Sequence, residues 1–298
     1  MPSLGARSFA AILRLIRRNR SLSSPEALAK AIARIRRQGP ALPTAGMRRK
    51  LRIIEEMIDD RHVFTLRPTT DAVNAKHVLY LHGGAFVRPI THYHWQFLQY
   101  LVEKTGCTVT VPLYPLAPED SDGAALQYVL KVHRYLMETV NAEATVLMGD
   151  SAGGNLALAA ALALRDTGQA LPQHLVLMAP WVDVALSHPG IAAIAPIDPM
   201  LALIGLQEAG RLYAGDTPLD HPYISPLHAD LSGLPAMTIY AGTHDILYPD
   251  SRALAEKARL HGNHVHLIVG PDMIHVWPIL PFEEGRVARS DIAARLMG

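Results

Sequence analysis

Short apolar runs alternate with longer amphipathic segments from about residue 52 to the end of the chain. Such runs are typical of strands buried on both faces, and apolar positions spaced by three or four residues are typical of helices. The pattern predicts strands over 52–57, 62–66, 77–81, 107–113, 144–148, 175–179, 237–241 and 265–269. It predicts helices over 93–103, 121–138, 152–165, 200–213, 250–261 and 283–297. This order predicts an α/β fold, with a mostly parallel central sheet and helices on both faces.

The first 46 residues follow a different pattern. Apolar positions recur there at helical spacing in two arginine-rich stretches: Phe9, Ile12, Leu13 and Ile16, then Leu28, Ala31, Ile32 and Ile35. Ser23 and Glu26 match a capping box, so the second helix is expected to begin there. We expect a separate helical segment over residues 1–46, joined through a linker at 39–46 to a main domain over 47–298.

Charge is also distributed unevenly along the chain. The net charge is +1, but residues 1–52 carry 13 of the 28 Lys and Arg residues and a single acid, Glu26, which leaves +12 there and −11 on the rest. Three explanations fit such a segment: a nucleic-acid arm, an amphipathic helix on a membrane surface, or a basic cap on an acidic body. Phe9 is the only aromatic residue among the first 60, which disfavours nucleic acid. We expect a docked cap, with membrane contact through residues 1–38 as the alternative.

Composition excludes several classes of protein. With 49% hydrophobic and 18% charged residues, the 298-residue chain does not have the composition of a disordered protein. Its single cysteine, Cys107, cannot form an intramolecular disulfide or a cysteine-rich metal site. No apolar run reaches the roughly 20 residues of a transmembrane helix, and arginines interrupt residues 1–20 where a secretory signal would be continuous. We therefore expect a soluble, cytoplasmic protein.

The sequence Gly149-Asp150-Ser151-Ala152-Gly153 follows a predicted strand and opens a predicted helix. In this context a G-x-S-x-G sequence forms a tight turn that holds the serine hydroxyl out above the sheet. Glycines flank the serine because a side chain there would collide with neighbouring backbone. Ser151 is therefore the candidate nucleophile.

The sequence His82-Gly83-Gly84-Ala85 directly follows another predicted strand and is a candidate oxyanion hole. Backbone N–H groups in such a loop can point at a developing negative charge, together with the N–H of the residue after the nucleophile. That residue is Ala152, at a predicted helix N-terminus where the helix dipole favours negative charge. The candidate donors are therefore Gly83, Gly84, Ala85 and Ala152.

A serine nucleophile needs a base, and the base needs a carboxylate that orients it. In a sheet of this kind those partners follow later strands in the order serine, acid, histidine. The last two predicted strands lead into Asp245 and His275, which are the candidate acid and base. Asp250 is the alternative acid, about one helical turn further along.

Five ordered motifs resemble those of bacterial esterases related to hormone-sensitive lipase, a branch of the α/β-hydrolase fold. They are an HGG-type loop at 82–84, Tyr114-Pro115-Leu116-Ala117-Pro118-Glu119, the sequence G-D-S-A-G-G-N at 149–155, Asp245-Ile246-Leu247, and the late His275. The resemblance covers about residues 77–280.

The resemblance implies a cap built from the N-terminal helices and from the stretch 183–225, which is too long for an ordinary crossover and is expected to be an insertion. It also implies that Gly84 and Ala85 are the oxyanion donors of the loop. The family has a third glycine where this chain has Ala85, and alanine resists a positive φ.

These residues and the resemblance predict a serine carboxylesterase acting on small or medium acyl esters. Ser151 would attack the carbonyl, with His275 as general base and acid and Asp245 orienting it, and no cofactor or metal would be needed. The histidine pairs at 92/94 and 264/266 lack a third metal ligand nearby.

Two alternative functions are a non-catalytic small-molecule receptor on the same fold and an amidase or deacetylase with the same triad. The expected partner is a small-molecule ester and not nucleic acid, and a homodimer is left open.

Overall fold

Eight strands form one sheet in the described residues: β1 (Leu51–Ile58), β2 (Arg61–Pro68), β3 (His77–Leu81), β4 (Thr108–Pro112), β5 (Thr145–Asp150), β6 (His174–Met178), β7 (Ala236–Gly242) and β8 (Val265–Gly270). They lie in the order β1-β2-β4-β3-β5-β6-β7-β8 in the computed structural model, which describes residues 2–70, 74–121 and 123–298. β2 runs antiparallel to β1 and β4, and the other neighbours are parallel. The predicted α/β class with a mostly parallel sheet is confirmed.

The central strands are buried because their residues suit apolar surroundings on both faces. Every residue of β3 and of β5 is buried, whereas most residues of the edge strand β1 are at least partly exposed. Parallel strands covered by helices on both sides need such sequences. The carboxyl ends of β3, β5, β7 and β8 lie at one edge of the sheet, so the loops that follow them meet there.

The helices of the described residues are α1 (Leu4–Leu15), α2 (Pro25–Gln38), α3 (Ala45–Lys50), α4 (His92–Thr105), α5 (Ala124–Met137), α6 (Ala152–Asp166), α7 (Ile191–Ile194), α8 (Leu203–Ala214), α9 (Tyr248–Leu260) and α10 (Glu283–Met297). One layer of apolar side chains packs α5, α6 and α9 on one face, and a second layer packs α4 and α10 on the other. The helix predicted over 121–138 is α5, and residue 122 of that prediction lies outside the described residues.

The two predicted N-terminal helices are present as α1 and α2, with one change at a cap. The N-cap of α2 is Ser24, whose Oγ accepts a hydrogen bond from the N–H of Ala27 at 3.1 Å. The hydroxyl of Ser23 donates to the carbonyl oxygen of Arg20 at 2.7 Å in the preceding turn, so it does not cap the helix as predicted. Both serines suit the capping position. Ser24 occupies it because the hydroxyl of Ser23 is already bonded to the preceding turn.

The predicted linker at 39–46 overlaps the start of a helix that the pattern did not predict. α3 has six residues, and the Oγ1 of Thr44 caps it by accepting from the N–H of Met47 at 3.2 Å. Met47 is its one buried residue, so the helix is too short to show an apolar period. The linker expectation is therefore wrong for its last residues.

The stretch 183–225 lies between β6 and β7 and contains α7 and α8. α8 packs against α2 and against the 3₁₀ turn Arg18–Leu22 of the N-terminal segment. The approach is close at Gly205, where an added Cβ would overlap the backbone of Leu22. The N-terminal segment and the insertion therefore lie against each other. None of the helices in the described ranges is long and apolar enough to cross a bilayer.

Candidate active site

Ser151 lies in the tight turn between β5 and α6, at the carboxyl edge of the sheet. Its φ of +53° and ψ of −120° form a backbone conformation that is strained for a residue with a side chain. A Cβ at Gly149 would overlap the backbone of Gly153, and a Cβ at Gly153 would overlap the carbonyl oxygen of Leu81. Close backbone approach therefore requires both glycines of the motif.

Asp245 and His275 lie in the loops after β7 and β8, and the fold brings them into contact. Nδ1 of His275 is 2.8 Å from Oδ2 of Asp245, and both side chains are almost completely buried. Oδ1 of Asp245 accepts a hydrogen bond from the N–H of Leu247 at 2.9 Å. One carboxylate oxygen therefore holds the imidazole while the backbone holds the other oxygen.

Nearby carboxylates control the protonation of His275. Burial lowers the pKa of this imidazole, but the charge and hydrogen bond of Asp245 and the charges of Asp198 and Asp150 outweigh burial and raise the pKa above its usual value. The same carboxylates stabilise the imidazolium that forms when the ring takes up a proton. The geometry and charge therefore suit His275 to act as a general base.

Asp198, a residue of the insertion, holds the loop after β7 that carries Asp245, which we call the acid loop, and our sequence reasoning missed it. Its Oδ2 accepts from the N–H of Ile246 at 3.0 Å, and its Oδ1 accepts from the N–H groups of Met200 and Leu201 at 2.7 and 2.9 Å. Burial, followed by the charge of Asp245, raises the pKa of Asp198. The contact with Ile246 spans 48 residues, so no local spacing distinguishes Asp198 from other acids of the insertion.

Asp250, the alternative acid, has a different environment. Neither of its carboxyl oxygens has a hydrogen-bond partner within the described residues, and His275 is held by Asp245 instead. Burial, with the charges of Asp183 and Asp245 adding to it, raises the pKa of Asp250 to about 7. The geometry therefore favours Asp245 as the partner of His275.

The loop after β3 brings Gly83, Gly84 and Ala85 to the same cavity as Ser151. The N–H of Gly83 donates to Oδ1 of Asp150 at 2.9 Å. This N–H is already engaged, so Gly83 is not available as an oxyanion donor, contrary to our prediction. A Cβ at Gly83 would also overlap the Asp150 carboxylate, which explains the glycine.

The other candidate donors are free within the described part of the chain. None of its hydrogen bonds uses the N–H groups of Gly84, Ala85 or Ala152. Gly84 has a φ of +138°, and Ala85 and Phe86 have φ values of +55° and +59°. Ala85 thus adopts the positive φ that alanine resists, which stores strain in this loop as in the serine turn.

A buried network of polar side chains joins the serine turn to the oxyanion loop. The hydroxyl of Tyr80 donates to Oδ1 of Asp150 at 2.5 Å, and Nε2 of His94 lies 3.3 Å from Oδ2. Burial raises the pKa of Asp150, but His94, Tyr80 and the N–H of Gly83 outweigh burial and hold the pKa below its usual value. Asp150 therefore fixes the oxyanion loop to the serine turn. Its partners Tyr80 and His94 were missed because they lie 70 and 56 residues away in sequence.

A cavity of about 320 Å³ is lined by Ser151 and His275. Apolar side chains of the N-terminal segment and of the insertion form much of its wall: Phe9, Leu13, Ile16, Leu22, Met200, Leu201 and Leu206. Two cations, Arg18 and Arg88, line it as well. Within the described ranges, no group of three or more His, Cys, Asp or Glu side chains is arranged to hold a metal ion.

Comparison with known proteins shows which family the chain belongs to. The pattern of the α/β-hydrolase fold family matches residues 78–279. An acetyl-hydrolase from Streptomyces hygroscopicus is 36% identical over 216 residues, 71% of this chain and 72% of the relative. An esterase from Acinetobacter venetianus is 32% identical over 225 residues, 72% of this chain and 73% of the relative. The crystal structure of an esterase from the bacterial hormone-sensitive lipase family superposes with a TM-score of 0.83 at 28% identity, covering 100% of this chain and 99% of the other.

Proposed function

Because this chain belongs to the α/β-hydrolase fold family and is a carboxylic ester hydrolase, we propose that Ser151, His275 and Asp245 are its catalytic triad. The predicted resemblance to the hormone-sensitive-lipase branch is confirmed. The observation that carries the proposal is the cavity lined by both the strained Ser151 and His275, whose ring is hydrogen-bonded to buried Asp245. A serine next to a base that a carboxylate orients is the arrangement that acyl transfer requires.

The residues divide the reaction between them. The Oγ of Ser151 attacks the ester carbonyl carbon while Nε2 of His275 takes the hydroxyl proton, and the Asp245 carboxylate stabilises the resulting imidazolium. The N–H groups of Gly84, Ala85 and Ala152 donate to the oxyanion, which they can do because no other acceptor in the described residues uses them. His275 then protonates the leaving alcohol. A water molecule, activated by His275, hydrolyses the acyl-enzyme and regenerates Ser151.

We propose small or medium acyl esters as the substrates. A cavity of about 320 Å³ with apolar walls accommodates a short alkyl chain, and one relative is named an acetyl-hydrolase. Residues 1–46 and the insertion 183–225 are proposed to form one cap over the main domain 47–298, since both contribute to the wall of this cavity.

The test is hydrolysis of short p-nitrophenyl esters by the wild type and by Ser151→Ala. We expect the substitution to lower kcat by at least about 10³-fold and to abolish covalent labelling by a fluorophosphonate. Ser8→Ala makes the same chemical change at an exposed position of α1 and should retain both activities. Equal hydrolysis and labelling of wild type and Ser151→Ala would overturn the proposal.

The same assay separates the two other functions considered for this site. Tight binding of an ester without hydrolysis or labelling would favour the receptor. Hydrolysis of p-nitroanilides faster than of the matched p-nitrophenyl esters would favour the amidase or deacetylase.

A further inference from the structure

A second groove, of about 560 Å³, lies beside the active-site cavity. Arg18, Arg88, Pro89 and Thr91 line both spaces, so the cavity and the groove share a wall. Much of the remaining wall of the groove is one side of α2. The groove therefore adjoins the space that a molecule held at Ser151 would occupy.

Cations line this groove without any acid. Arg18, Lys30, Arg34 and Arg88 belong to its wall, and no Asp or Glu does. In the described part of the chain none of the four takes part in an ion pair, and neither does Glu26, the one acid of the N-terminal segment. We call these four residues the basic groove.

The other role for basic residues in this segment is docking, and that role does not explain the basic groove. Arg36 pairs with Glu119 at 2.8 Å, and Arg48 pairs with Glu55 at 3.1 Å. Charge complementarity with the acidic body thus accounts for these arginines. Arg18, Arg34 and Arg88 have no such partner, and Lys30 has only the charge of Glu26 one helical turn before it. A group of cations that is so incompletely neutralised beside an active site attracts ligands of the opposite sign.

Arg88 connects the basic groove to the oxyanion loop. Its N–H donates to the carbonyl oxygen of Gly84 at 2.9 Å, and its guanidinium donates to Oγ of Ser21 at 2.7 Å. Burial, with the charge of Arg18 adding to it, lowers the pKa of Arg88 to about 10, so the group is still a cation at neutral pH. An anion beside Arg18 and Arg88 would relieve their mutual repulsion.

We propose that the basic groove binds an anionic group, a carboxylate or a phosphate, carried by the acyl or the alcohol part of the ester that Ser151 attacks. Guanidinium groups bind both anions through charge-assisted hydrogen bonds. The apolar wall of the cavity holds the alkyl part between the reacting carbonyl and the anion. The inference rests on the proposed function, because it assigns the substrate class of the same site.

Matched pairs of anionic and neutral esters test this substrate class. On the acyl side, p-nitrophenyl monoesters of adipic, pimelic and suberic acids are compared with the p-nitrophenyl esters of the corresponding primary amides. On the alcohol side, 4-acetoxybenzoate is compared with 4-acetoxybenzamide. We expect kcat/KM of the wild type to be at least about tenfold higher for the anionic member on one of the two sides. The ratio should fall as NaCl is raised to about 0.5 M, because salt screens exposed charges.

Substitutions test whether the cations of the basic groove cause the preference for anionic esters. Arg18→Gln combined with Arg34→Gln is expected to lower the anionic-to-neutral ratio of kcat/KM by at least about fivefold. Arg37→Gln is the matched control, since Arg37 is an exposed residue of α2 that does not line the basic groove. It removes the same charge from the same helix and should leave the ratio unchanged.

Failure of this inference can be told from failure of the proposed function. Normal hydrolysis of neutral esters, with an anionic-to-neutral ratio of kcat/KM near one for both the acyl and the alcohol pairs, would overturn the proposed anion binding. It would leave the proposed triad unaffected. Equilibrium binding of each ester pair to Ser151→Ala gives a readout that does not depend on hydrolysis. Tighter binding of the anionic esters would support the basic groove even if the wild type hydrolyses no ester, and equal binding would overturn it.

Discussion

Asp198 influences the proposed base without touching the reacting atoms. Its carboxylate accepts the N–H of Ile246, the residue after Asp245, and its charge contributes to the raised pKa of His275. It is therefore a positioning residue, and it belongs to the insertion that also supplies cavity wall. The Asp198 carboxylate therefore connects the insertion to the proposed triad.

Asp198→Asn is expected to shift the pH dependence of hydrolysis. Removing a negative charge lowers the pKa of His275, and His275 accepts a proton only when it is neutral. The acid limb of kcat/KM should therefore move to lower pH, by roughly 0.5 units, while kcat falls several-fold. The measurement is kcat/KM for a short p-nitrophenyl ester between pH 5 and pH 9 (about two units either side of neutrality).

The control for this prediction is Asp220→Asn, which removes the same charge from an exposed position of the insertion. Its acid limb should coincide with that of the wild type. A limb that stays in place in Asp198→Asn would show that Asp198 has only a structural role.

Asp250 is expected to make the free energy of unfolding depend on pH. Its pKa of about 7 in the folded protein lies above the value of about 4 expected for an unfolded aspartate, so the folded state holds the proton more tightly. This contribution to stability is full below about pH 4 and is lost as pH rises through about 7. Asp250→Asn cannot lose a proton, so its free energy of unfolding relative to wild type should increase by about 2–4 kcal/mol between pH 4 and pH 8.

Urea unfolding of both proteins at several pH values measures this difference. Asp220→Asn, at an exposed site, should track the wild type at every pH. A difference between Asp250→Asn and wild type that does not change with pH would contradict the prediction.

At the scale of elements, one arginine fastens α2 to the loops of the active site. Nε and Nη2 of Arg36 donate to the Glu119 carboxylate at 3.0 and 2.8 Å, and Nη1 and Nη2 donate at 2.8 Å to the carbonyl oxygens of Val87 and Ala117. Val87 follows the oxyanion loop, and Ala117 and Glu119 belong to the motif at 114–119. This contact gives the motif a role in holding the N-terminal segment.

Arg36→Gln is expected to lower the free energy of unfolding by about 1–2 kcal/mol. The ion pair contributes little because both side chains are partly exposed, and most of the loss comes from two carbonyl oxygens that lose a charged donor. The urea midpoint measures the loss. The neighbouring Arg37→Gln changes the same charge at an exposed position and should unfold like the wild type. Similar midpoints for Arg36→Gln and Arg37→Gln would contradict this account.

At the scale of the whole molecule, α1 presents two apolar faces. Leu13 is buried and lines the active-site cavity, whereas Leu15 is 82% exposed. Leu13→Ala removes part of the cavity wall, so KM for a p-nitrophenyl hexanoate should rise about threefold or more while KM for the acetate changes less. Leu15→Ala is the matched control and should leave both constants unchanged. An equal change in both esters for Leu13→Ala would show that α1 does not contact the acyl chain.

The exposed face of α1 also bears on the predicted membrane contact through residues 1–38. Its large apolar side chains are Leu4, Ile12 and Leu15. Sedimentation with anionic vesicles that Leu15→Gln weakens would support such contact, and no sedimentation of the wild type would exclude it. Membrane contact, a homodimer and a cytoplasmic location stay predictions.

Much of the fold and the main site residues could be predicted because they depend on local sequence. Strands and helices were located within a few residues, since a buried parallel strand and an amphipathic helix each show in a short window. The positions of Ser151, Asp245 and His275 followed from the turns after three strands. α3 and the cap at Ser24 could not be placed, because a six-residue helix and two adjacent serines leave no distinguishing pattern.

The sequence by itself determined the α/β class, the order of elements and the residues proposed for the triad. It could do so because hydrophobic periodicity and turn-forming residues are properties of short stretches of the chain. Only the tertiary structure decided that Gly83 gives its N–H to Asp150, that Asp198 supports the acid loop, and that α1 lines the cavity. These facts depend on contacts between residues dozens of positions apart. Packing of the whole chain selects such contacts, so no local pattern shows them.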